Sequence, residues 1–285
     1  YYENKYVKMD INKAIHYLTL AANQKHPGAQ NQLGLIYYEG KYVIRNIEKA
    51  LYYLKLAADQ NHLEALYELG MIYYYDNEKR DINKSIHYLK IASKYYYLEA
   101  QYKLGLFYFE DKHIKRDINK AIKYFTLASK QKHIEALYYL GVIYSNGYVP
   151  RERARSIYYF ELASELDHSL SQNKLGELYF KDKKNYDKAI HLYLKAAEQG
   201  NTEAQLNLAL IYLNGIYTDR DINKAIDYFQ LAARSNSEAQ YHLGKIYSDN
   251  KYLSKNVDKS IHFYTLSASQ DNRYAQYELG MLYLS

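Results

Sequence analysis

Apolar and small residues recur along this chain at three- and four-residue intervals, the spacing of one helix face. In residues 203–215, with the sequence EAQLNLALIYLNG, this face contains Ala204, Leu208, Ile211 and Tyr212. Such periodicity over thirteen residues predicts an amphipathic helix. We call this element helix A.

A second apolar face follows helix A after a short polar loop. In residues 221–233, with the sequence DINKAIDYFQLAA, Ala225 and Ala232 are seven residues apart. Seven residues make two helical turns, so both small side chains lie on one stripe, where a neighbouring helix can approach closely. The segment predicts a second helix, helix B. Asp221 stands where a side chain would accept hydrogen bonds from the first turn, and we expect it to be the N-cap. The same holds for the equivalent residues of the other copies, Asp10, Asn46, Asp81, Asp117, Asn185 and Asn256.

The pair of helices repeats eight times along the chain. Its clearest mark is a Leu-Gly followed, three residues after the glycine, by Tyr. The column contains Gly34, Gly70, Gly105, Gly141, Gly176, Ala209, Gly244 and Gly280, and its members are 36, 35, 36, 35, 33, 35 and 36 residues apart. A period of this length predicts an all-α solenoid of stacked two-helix units. The tyrosine of the mark is present in all eight copies, so we assign it to the core.

The repeat phase predicts one continuous array over residues 1–285. The expected units are 1–26, 27–62, 63–97, 98–133, 134–168, 169–201, 202–236, 237–272 and 273–285. The chain opens with Tyr1, Tyr2 and Glu3, which align with the end of a helix A, and it closes at Ser285 on a helix A without its helix B. We therefore expect a segment of a longer array, whose uncapped terminal repeats would allow end-to-end self-association.

The repeat has a family resemblance. The pattern A-x-x-x-L-G-x-x-Y, a loop, and then K-A-x-x-Y-x-x-L-A-A resembles the Sel-1-like repeat, a relative of the tetratricopeptide repeat. The best match here is AQLNLALIYLNG at 204–215 with KAIDYFQLAA at 224–233. The resemblance implies a right-handed superhelix with helix A on its concave face, and a scaffold or adaptor that binds proteins. Some arrays of this kind follow a protein kinase domain.

The chain departs from the family pattern at two places. Tyrosine stands in helix B where the family often has Trp, in keeping with 39 Tyr and no Trp in the chain. The family's glycine in the turn from helix B to helix A is retained only at Gly200. Elsewhere this turn contains His26, His62, His133 or His168.

Composition narrows the functional classes. The chain has no cysteine, which excludes disulfides and thiolate metal sites. Its net charge of +6 is small for so long a surface, and Lys and Arg alternate with Asp and Glu, so we expect no nucleic-acid partner. No apolar run approaches the roughly 20 residues of a membrane span, and no signal peptide is recognised. These features favour a cytoplasmic protein without a membrane span.

The candidate binding site is the inner surface of helix A. Two columns border it, one three residues before the glycine and one a turn after it. We predict that a partner protein or peptide contacts the aromatic and amide side chains of these columns, since Tyr offers broad contact area and loses little entropy. The predicted residues are Asn31, Tyr67, Tyr102, Tyr138, Asn173, Tyr241 and Tyr277, with Tyr74 and Phe109. The alternative is that these rings only fill gaps between neighbouring helices.

Other candidate sites have weaker support. The helix B histidines His16, His87, His191 and His262 and those of the turn are too far apart in successive repeats to share a metal, and we expect them to be exposed. Arg45, Arg80, Arg116 and Arg220 precede helix B and could bind phosphate or an acidic partner. The divergent stretch from Pro150 to Ser171, with Arg151, Arg153 and Arg155, is a candidate specificity patch.

No catalytic motif is recognised, and no cofactor is expected. Two hypotheses of function follow. The first is a non-enzymatic scaffold that binds a protein segment in the helix A groove. The second is an accessory array of a larger enzyme, such as a kinase, whose catalytic domain is outside this chain.

Overall fold

A computed structural model describes residues 10–149, 152–182, 185–249 and 254–284. These residues form sixteen α-helices and no strand. The B helices are α1 (Ile11–Asn23), α3 (Ile47–Ala58), α5 (Ile82–Lys94), α7 (Ile118–Ser129), α9 (Arg153–Glu165), α11 (Tyr186–Glu198), α13 (Ile222–Ala232) and α15 (Val257–Ala268). The A helices are α2 (Pro27–Glu39), α4 (Leu63–Tyr75), α6 (Leu98–Glu110), α8 (Ile134–Ser145), α10 (Ser169–Lys181), α12 (Thr202–Asn214), α14 (Ser237–Ser248) and α16 (Arg273–Leu284).

The helices fall into two compact units, residues 1–140 and residues 141–285, which we call the first and second units. Within each unit, a helix A packs against the helix B that precedes it and the helix B that follows it. The predicted all-α solenoid of two-helix repeats is therefore confirmed. The single continuous array with the boundaries given above stays a prediction.

The glycine column is where helix A approaches the following helix B most closely. A Cβ atom built on Gly105 would lie 2.5 Å from ring carbons of Phe125, and one built on Gly34 would lie 2.5 Å from Leu54 Cγ. Both Phe125 and Leu54 are fully buried. Phe125 and Leu54 each lie between the two small residues of their helix B stripe. The glycine of helix A and the small residues of helix B therefore leave space for one large side chain, which fills the interface.

The invariant tyrosine joins helix A to helix B. At Tyr108 the backbone carbonyl accepts a hydrogen bond from Asp117 N at 2.8 Å, while the Asp117 side chain caps α7 by accepting from Lys120 N at 3.0 Å. The Lys120 ammonium lies 5.1 Å from the Tyr108 ring centroid, and that ring stacks on Tyr124 with centroids 5.9 Å apart. The predicted N-cap is confirmed here, and the lysine three residues after it covers the tyrosine.

This arrangement recurs in other repeats. Six predicted caps accept the expected hydrogen bond: Asp10, Asn46, Asp81, Asp117, Asp221 and Asn256. Asn185 is the N-cap residue of α11, as predicted by its position, but its side chain makes no such bond. The tyrosine of the repeat is buried or half-buried in seven copies, as predicted for the core, and only Tyr283 on α16 is exposed.

Seven of the eight described turns from helix B to helix A share one geometry despite their varied sequence, and only the shorter turn between α13 and α14 has no residue with positive φ. Gly200 has φ +82°, and the equivalent Asn61 and Lys132 have φ +59° and +61°. The next residue donates its N–H back to helix B, as in His62 N to Ala57 O at 3.1 Å. The loss of the family glycine therefore leaves the turn unchanged, with single residues held in the left-handed region.

Candidate functional site

The open surface of helix A is formed by three positions, which we number from the glycine of each repeat. Positions −2, +1 and +5 line shallow cavities, with positions +2 and +4 at their base. The predicted column at −3 lines none of these three cavities. One residue turns a helix by about 100°, so the −3 column lies beside these cavities, whereas Tyr74 of the second predicted column lines the cavity of the first unit. We call positions −2, +1 and +5 the open face.

In the first unit, the open face lines a cavity of about 320 Å³ between α4 and α6. Tyr75, Lys103, Leu106 and Glu110 supply its open-face side chains. The cavity therefore combines apolar side chains with the cations Lys103 and Lys112 and the anions Glu110 and Asp111. Such a surface offers a partner both apolar contact and charged hydrogen-bonding groups.

In the second unit, two cavities lie side by side on α10, α12 and α14. One, of about 270 Å³, has Asn207, Leu210 and Asn214 on the open face with Phe180 and Ile211 among its base residues. The other, of about 120 Å³, shares Leu210 and Asn214 and adds His242 and Lys245. Leu210 thus borders both cavities.

His242 is neutral in its surroundings. Burial, with a smaller contribution from the charge of Lys245, lowers its pKa to about 4. Its ring stacks on Phe229 with centroids 5.2 Å apart. The cation of this second cavity at neutral pH is therefore Lys245.

The predicted site residues occupy three kinds of environment. Asn31, Asn173, Tyr74 and Phe109 are buried, at 1%, 1%, 8% and 5% exposure. Tyr67, Tyr102, Tyr138 and Tyr241 are half-buried, and Tyr277 is exposed on α16. For the first four, the expectation of an open contact surface does not fit the structure, because the next repeat covers this stripe of helix A.

Tyr102 shows what the covered column does. Its ring stacks on His133 with centroids 4.2 Å apart and approaches Phe125 and Tyr139 at 6.2 and 6.4 Å. Burial is the main reason that its pKa is raised, with Tyr139 and nearby glutamates adding to it. Tyr102 thus packs between repeats, and replacing it would disturb stability as well as any surface.

Two repeats carry asparagine in the −3 column, and each binds a glutamate of the next helix A. Asn31 donates to Glu64 Oε2 at 3.2 Å. Asn173 donates to Glu203 Oε2 at 3.1 Å and also to Glu177 Oε1 at 3.1 Å. Sequence reasoning placed both asparagines correctly on one column but missed their carboxylate partners.

The histidines of the turn are helix caps. Nδ1 of His133 accepts from Ala136 N at 3.2 Å, and His26 and His62 accept equivalent bonds at 3.2 and 3.3 Å. The expectation of exposure is wrong for His62, His133 and His168, which are half-buried, because the cap lies between repeats. The four helix B histidines are exposed, as expected.

The loop arginines have local partners. Arg45 pairs with Asp76, and its Nε donates to Tyr38 O at 3.2 Å. Arg116 Nε donates to Phe109 O at 2.8 Å. Arg80 donates to Asn77 Oδ1 at 2.9 Å. Three of the four predicted phosphate ligands thus hold the loop between helices.

The divergent stretch borders a cavity of about 460 Å³ in the second unit, lined by Arg153, Lys181, Tyr144 and neighbours. Arg153 lies 3.5 Å from Asp182 and Arg155 lies 2.7 Å from Glu152, so much of the basic charge is paired. Pro150 and Arg151 of the predicted patch are outside the described residues.

In the described parts of the chain, no helix has the length and apolar character to cross a membrane. The same residues contain no group of three or more His, Cys, Asp or Glu that could hold a metal ion.

The sequence matches the model of the Sel1 repeat over nearly its whole length. The matched residues are 1–26, 27–62, 63–94, 98–133, 134–168, 169–201, 202–237, 237–272 and 273–285. The chain belongs to the Sel1 repeat family. Members of this family generally mediate protein–protein interactions.

Two solved structures of the family are similar to this Sel1 repeat protein. One is c5321, a protective antigen present in uropathogenic Escherichia coli strains, at 29% identity and a TM-score of 0.85 over 96% of this chain. The other is a Sel1 repeat protein from Oxalobacter formigenes, at 26% identity and a TM-score of 0.83 over 98% of this chain. The chain spans 60% of the first of these proteins and 83% of the second.

The Sel1 repeats of this chain also share a glutamine pair that sequence reasoning missed. Buried Gln101 on helix A donates to Ser93 O at 3.2 Å and accepts from Gln131 at 2.9 Å. Equivalent glutamine pairs are Gln30 with Gln60, Gln172 with Gln199, and Gln240 with Gln270. The pair ties one helix A to the end of the following helix B.

Proposed function

We propose that this Sel1 repeat protein is a non-enzymatic scaffold that binds a protein segment on the open face of helix A. The observation that supports this most directly is that the cavities lie on positions that differ between repeats. Position −2, for example, holds Lys103, Asn207 and His242 in three of the cavity-lining helices. Packing positions repeat because packing repeats, whereas a recognition surface differs with what each repeat contacts.

The two neighbouring cavities of the second unit favour a peptide segment over a small metabolite. Pockets for small molecules usually enclose ~300–1,000 Å³ and bury most of the ligand. The two neighbouring cavities of the second unit are about 270 and 120 Å³ and share a wall at Leu210. Successive side chains of an extended segment could enter successive cavities, with Asn207 and Asn214 beside the peptide backbone.

The experiment is selection of binders from a display library of twelve-residue peptides, followed by affinity measurement with variants. Leu106→Asp and Leu210→Asp each put a charge at the centre of a cavity. Leu231→Asp makes the same change on the exposed surface of helix B, where Leu231 is 40% exposed. This control separates the open face from the effect of an added carboxylate.

We expect at least one cavity variant to weaken a selected peptide by about tenfold or more, which corresponds to ~1.4 kcal/mol. The Leu231→Asp control should stay within about twofold of the unaltered chain, on the same scale. Circular dichroism checks that all three variants keep their helices. Equal weakening by the control, or no weakening by either cavity variant, would contradict the proposal.

A further inference from the structure

The two asparagine sites of the −3 column form a natural comparison within one chain. In the second unit, Asn173 Oδ1 accepts a hydrogen bond from Asn207 Nδ2 at 3.2 Å. Its Nδ2 binds Glu177 and Glu203. The ammonium of Lys174 lies 2.8 Å from Glu177 and 3.4 Å from Glu203. Both polar ends of the asparagine have partners, and a lysine of the chain itself neutralises the carboxylates.

The first unit has the same asparagine and glutamate but lacks the other partners. Asn31 and Glu64 stand where Asn173 and Glu203 do, counted from the glycine of each repeat. The position of Lys174 is taken by Gln32, which is exposed, and the position of Asn207 is taken by Glu68. At this place the chain lacks the amide donor and the cation of the second unit, and its two carboxylates are those of Glu64 and Glu68, since Leu35 stands at the position of Glu177.

The loss leaves a buried acceptor unsatisfied. Asn31 is 1% exposed, and its Oδ1 has no hydrogen-bond partner among the residues that the structure describes. A buried acceptor without a donor costs roughly 1–3 kcal/mol. In the second unit this acceptor has its donor, so the deficit is specific to the first unit.

The loss also leaves negative charge without a balancing cation. Burial raises the pKa of the Glu68 carboxyl, and Glu64 and Glu39 raise it further through like-charge repulsion. Glu68 and Glu39 occupy positions −2 and +5 of the open face. The crowded carboxylates thus lie on the surface to which the proposed function assigns the partner.

We propose that the site formed by Asn31, Glu64 and Glu68 binds the ammonium or guanidinium group of a basic side chain supplied by the partner protein. The inference rests on the proposed function, and it names the partner chemistry of that face in the first unit. The partner's cation does there what Asn207 and Lys174 do together in the second unit: its N–H groups supply the missing donor to Asn31, and its charge balances the carboxylates.

The site is tested first without any peptide, using methylammonium chloride as the probe. The ¹³Cδ resonance of Glu68, assigned with the Glu68→Gln variant, is followed at pH 7.5 during titration with methylammonium chloride and with sodium chloride at equal ionic strength. We expect a saturable shift with methylammonium that sodium does not reproduce. Equal responses to the two salts would overturn the inference. A ¹³Cδ shift showing that Glu68 stays protonated would also overturn it, because the neutral carboxyl could then donate its own proton to Asn31.

A variant that copies the second unit gives the decisive control. Gln32→Lys places an ammonium where Lys174 stands, so the methylammonium response should disappear. Gln230→Lys adds the same charge at an exposed position of helix B and should leave the response unchanged. A response that survives Gln32→Lys would show that methylammonium binds elsewhere.

The second arm uses the peptides selected in the display experiment. Peptides that bind the first unit should contain Lys or Arg and should lose about tenfold or more in affinity for the Gln32→Lys and Glu68→Asn variants. If peptides depend on the open face but ignore both variants, the basic partner is refuted while the proposed function survives. If no peptide depends on the open face, the proposed function fails, and the methylammonium titration still decides the cation site.

Discussion

Replacing Gly105 by alanine tests whether close approach of helices explains the glycine column. The added Cβ would lie 2.5 Å from Cδ1 and Cε1 of Phe125, whereas ordinary contacts begin near 3.4 Å. The Phe125 ring would have to move by about 1 Å on this geometry. It is fully buried and stacks on Tyr139 with an interplanar angle of 3°, so it has little space to move.

The expected change in the free energy of unfolding of Gly105→Ala is the sum of two contributions, one from packing and one from helix propensity. Overpacking a core by one methyl group costs about 1–3 kcal/mol, and alanine recovers about 1 kcal/mol over glycine inside a helix. Gly280→Ala is the matched control, because its Cβ would have no neighbouring atom within 4 Å. Gly280→Ala should therefore gain only the stability that comes from the higher helix propensity of alanine. The difference between the two variants, about 1–3 kcal/mol, is therefore the packing term.

The assay combines urea unfolding with amide hydrogen exchange. Repeat arrays depart from two-state unfolding, so the midpoint alone does not locate the effect. Faster exchange confined to α6 and α7 would place the loss at the Gly105 contact. If Gly105→Ala gained as much stability as Gly280→Ala, close approach would not explain the column. Ala209 occupies the column in one repeat, so the penalty at Gly105 reflects surroundings already packed around a glycine.

Two further predictions concern contacts between repeats. Gln101→Leu should destabilise the chain by about 1–2 kcal/mol, because it removes two hydrogen bonds and leaves Ser93 O and the Gln131 amide with only their bonds to the Tyr96 backbone; adding Gln131→Leu should recover part of this loss in a double-mutant cycle followed by urea unfolding. Burial lowers the pKa of His133, against the opposing effect of Glu99 and Glu135. As pH falls below about 6.5, the unfolded chain therefore binds a proton at His133 before the folded chain does, and the unaltered chain loses stability. The stability of His133→Asn relative to the unaltered chain should therefore rise between about pH 7 and pH 5, as measured by thermal unfolding. A difference in stability that stays constant over this range would contradict the prediction.

Much of the fold could be read from the sequence because its causes are local. Asp117 precedes a helical stripe by the distance of an N-cap, and the cap is formed. Gly105 recurs where two helices must meet, and Phe125 fills that place. Each inference needs only the spacing of a few residues within one repeat.

The glutamine pair needed a comparison between distant positions. Where helix A has Gln101, the following helix B ends near Gln131, but where helix A has Leu66, the corresponding residue is Tyr95. The two positions therefore change together in these two repeats, although Gln205 has no glutamine at the end of the following helix B, where Arg234 and Ser235 stand. This signal was present in the repeats themselves, although it becomes meaningful only when position 131 is known to lie next to position 101.

The sequence favoured the −3 column instead of the open face as the candidate surface, and the reason differs from that for the glutamine pair. It bears on how a tyrosine-rich array should be interpreted. Tyrosine at position −3 suggested recognition because tyrosine is common at binding surfaces. In the structure Tyr102 stacks on His133 of the neighbouring turn, so a large ring is needed there for packing alone. The better indicator is disagreement between repeats that otherwise agree. Glu68 and Asn207 hold one position of the repeat, yet the first adds charge to a crowded carboxylate site and the second satisfies a buried asparagine. Such a difference leaves Asn31 Oδ1 without a hydrogen-bond donor among the described residues, and we infer that a cation contributed by the partner protein compensates for it.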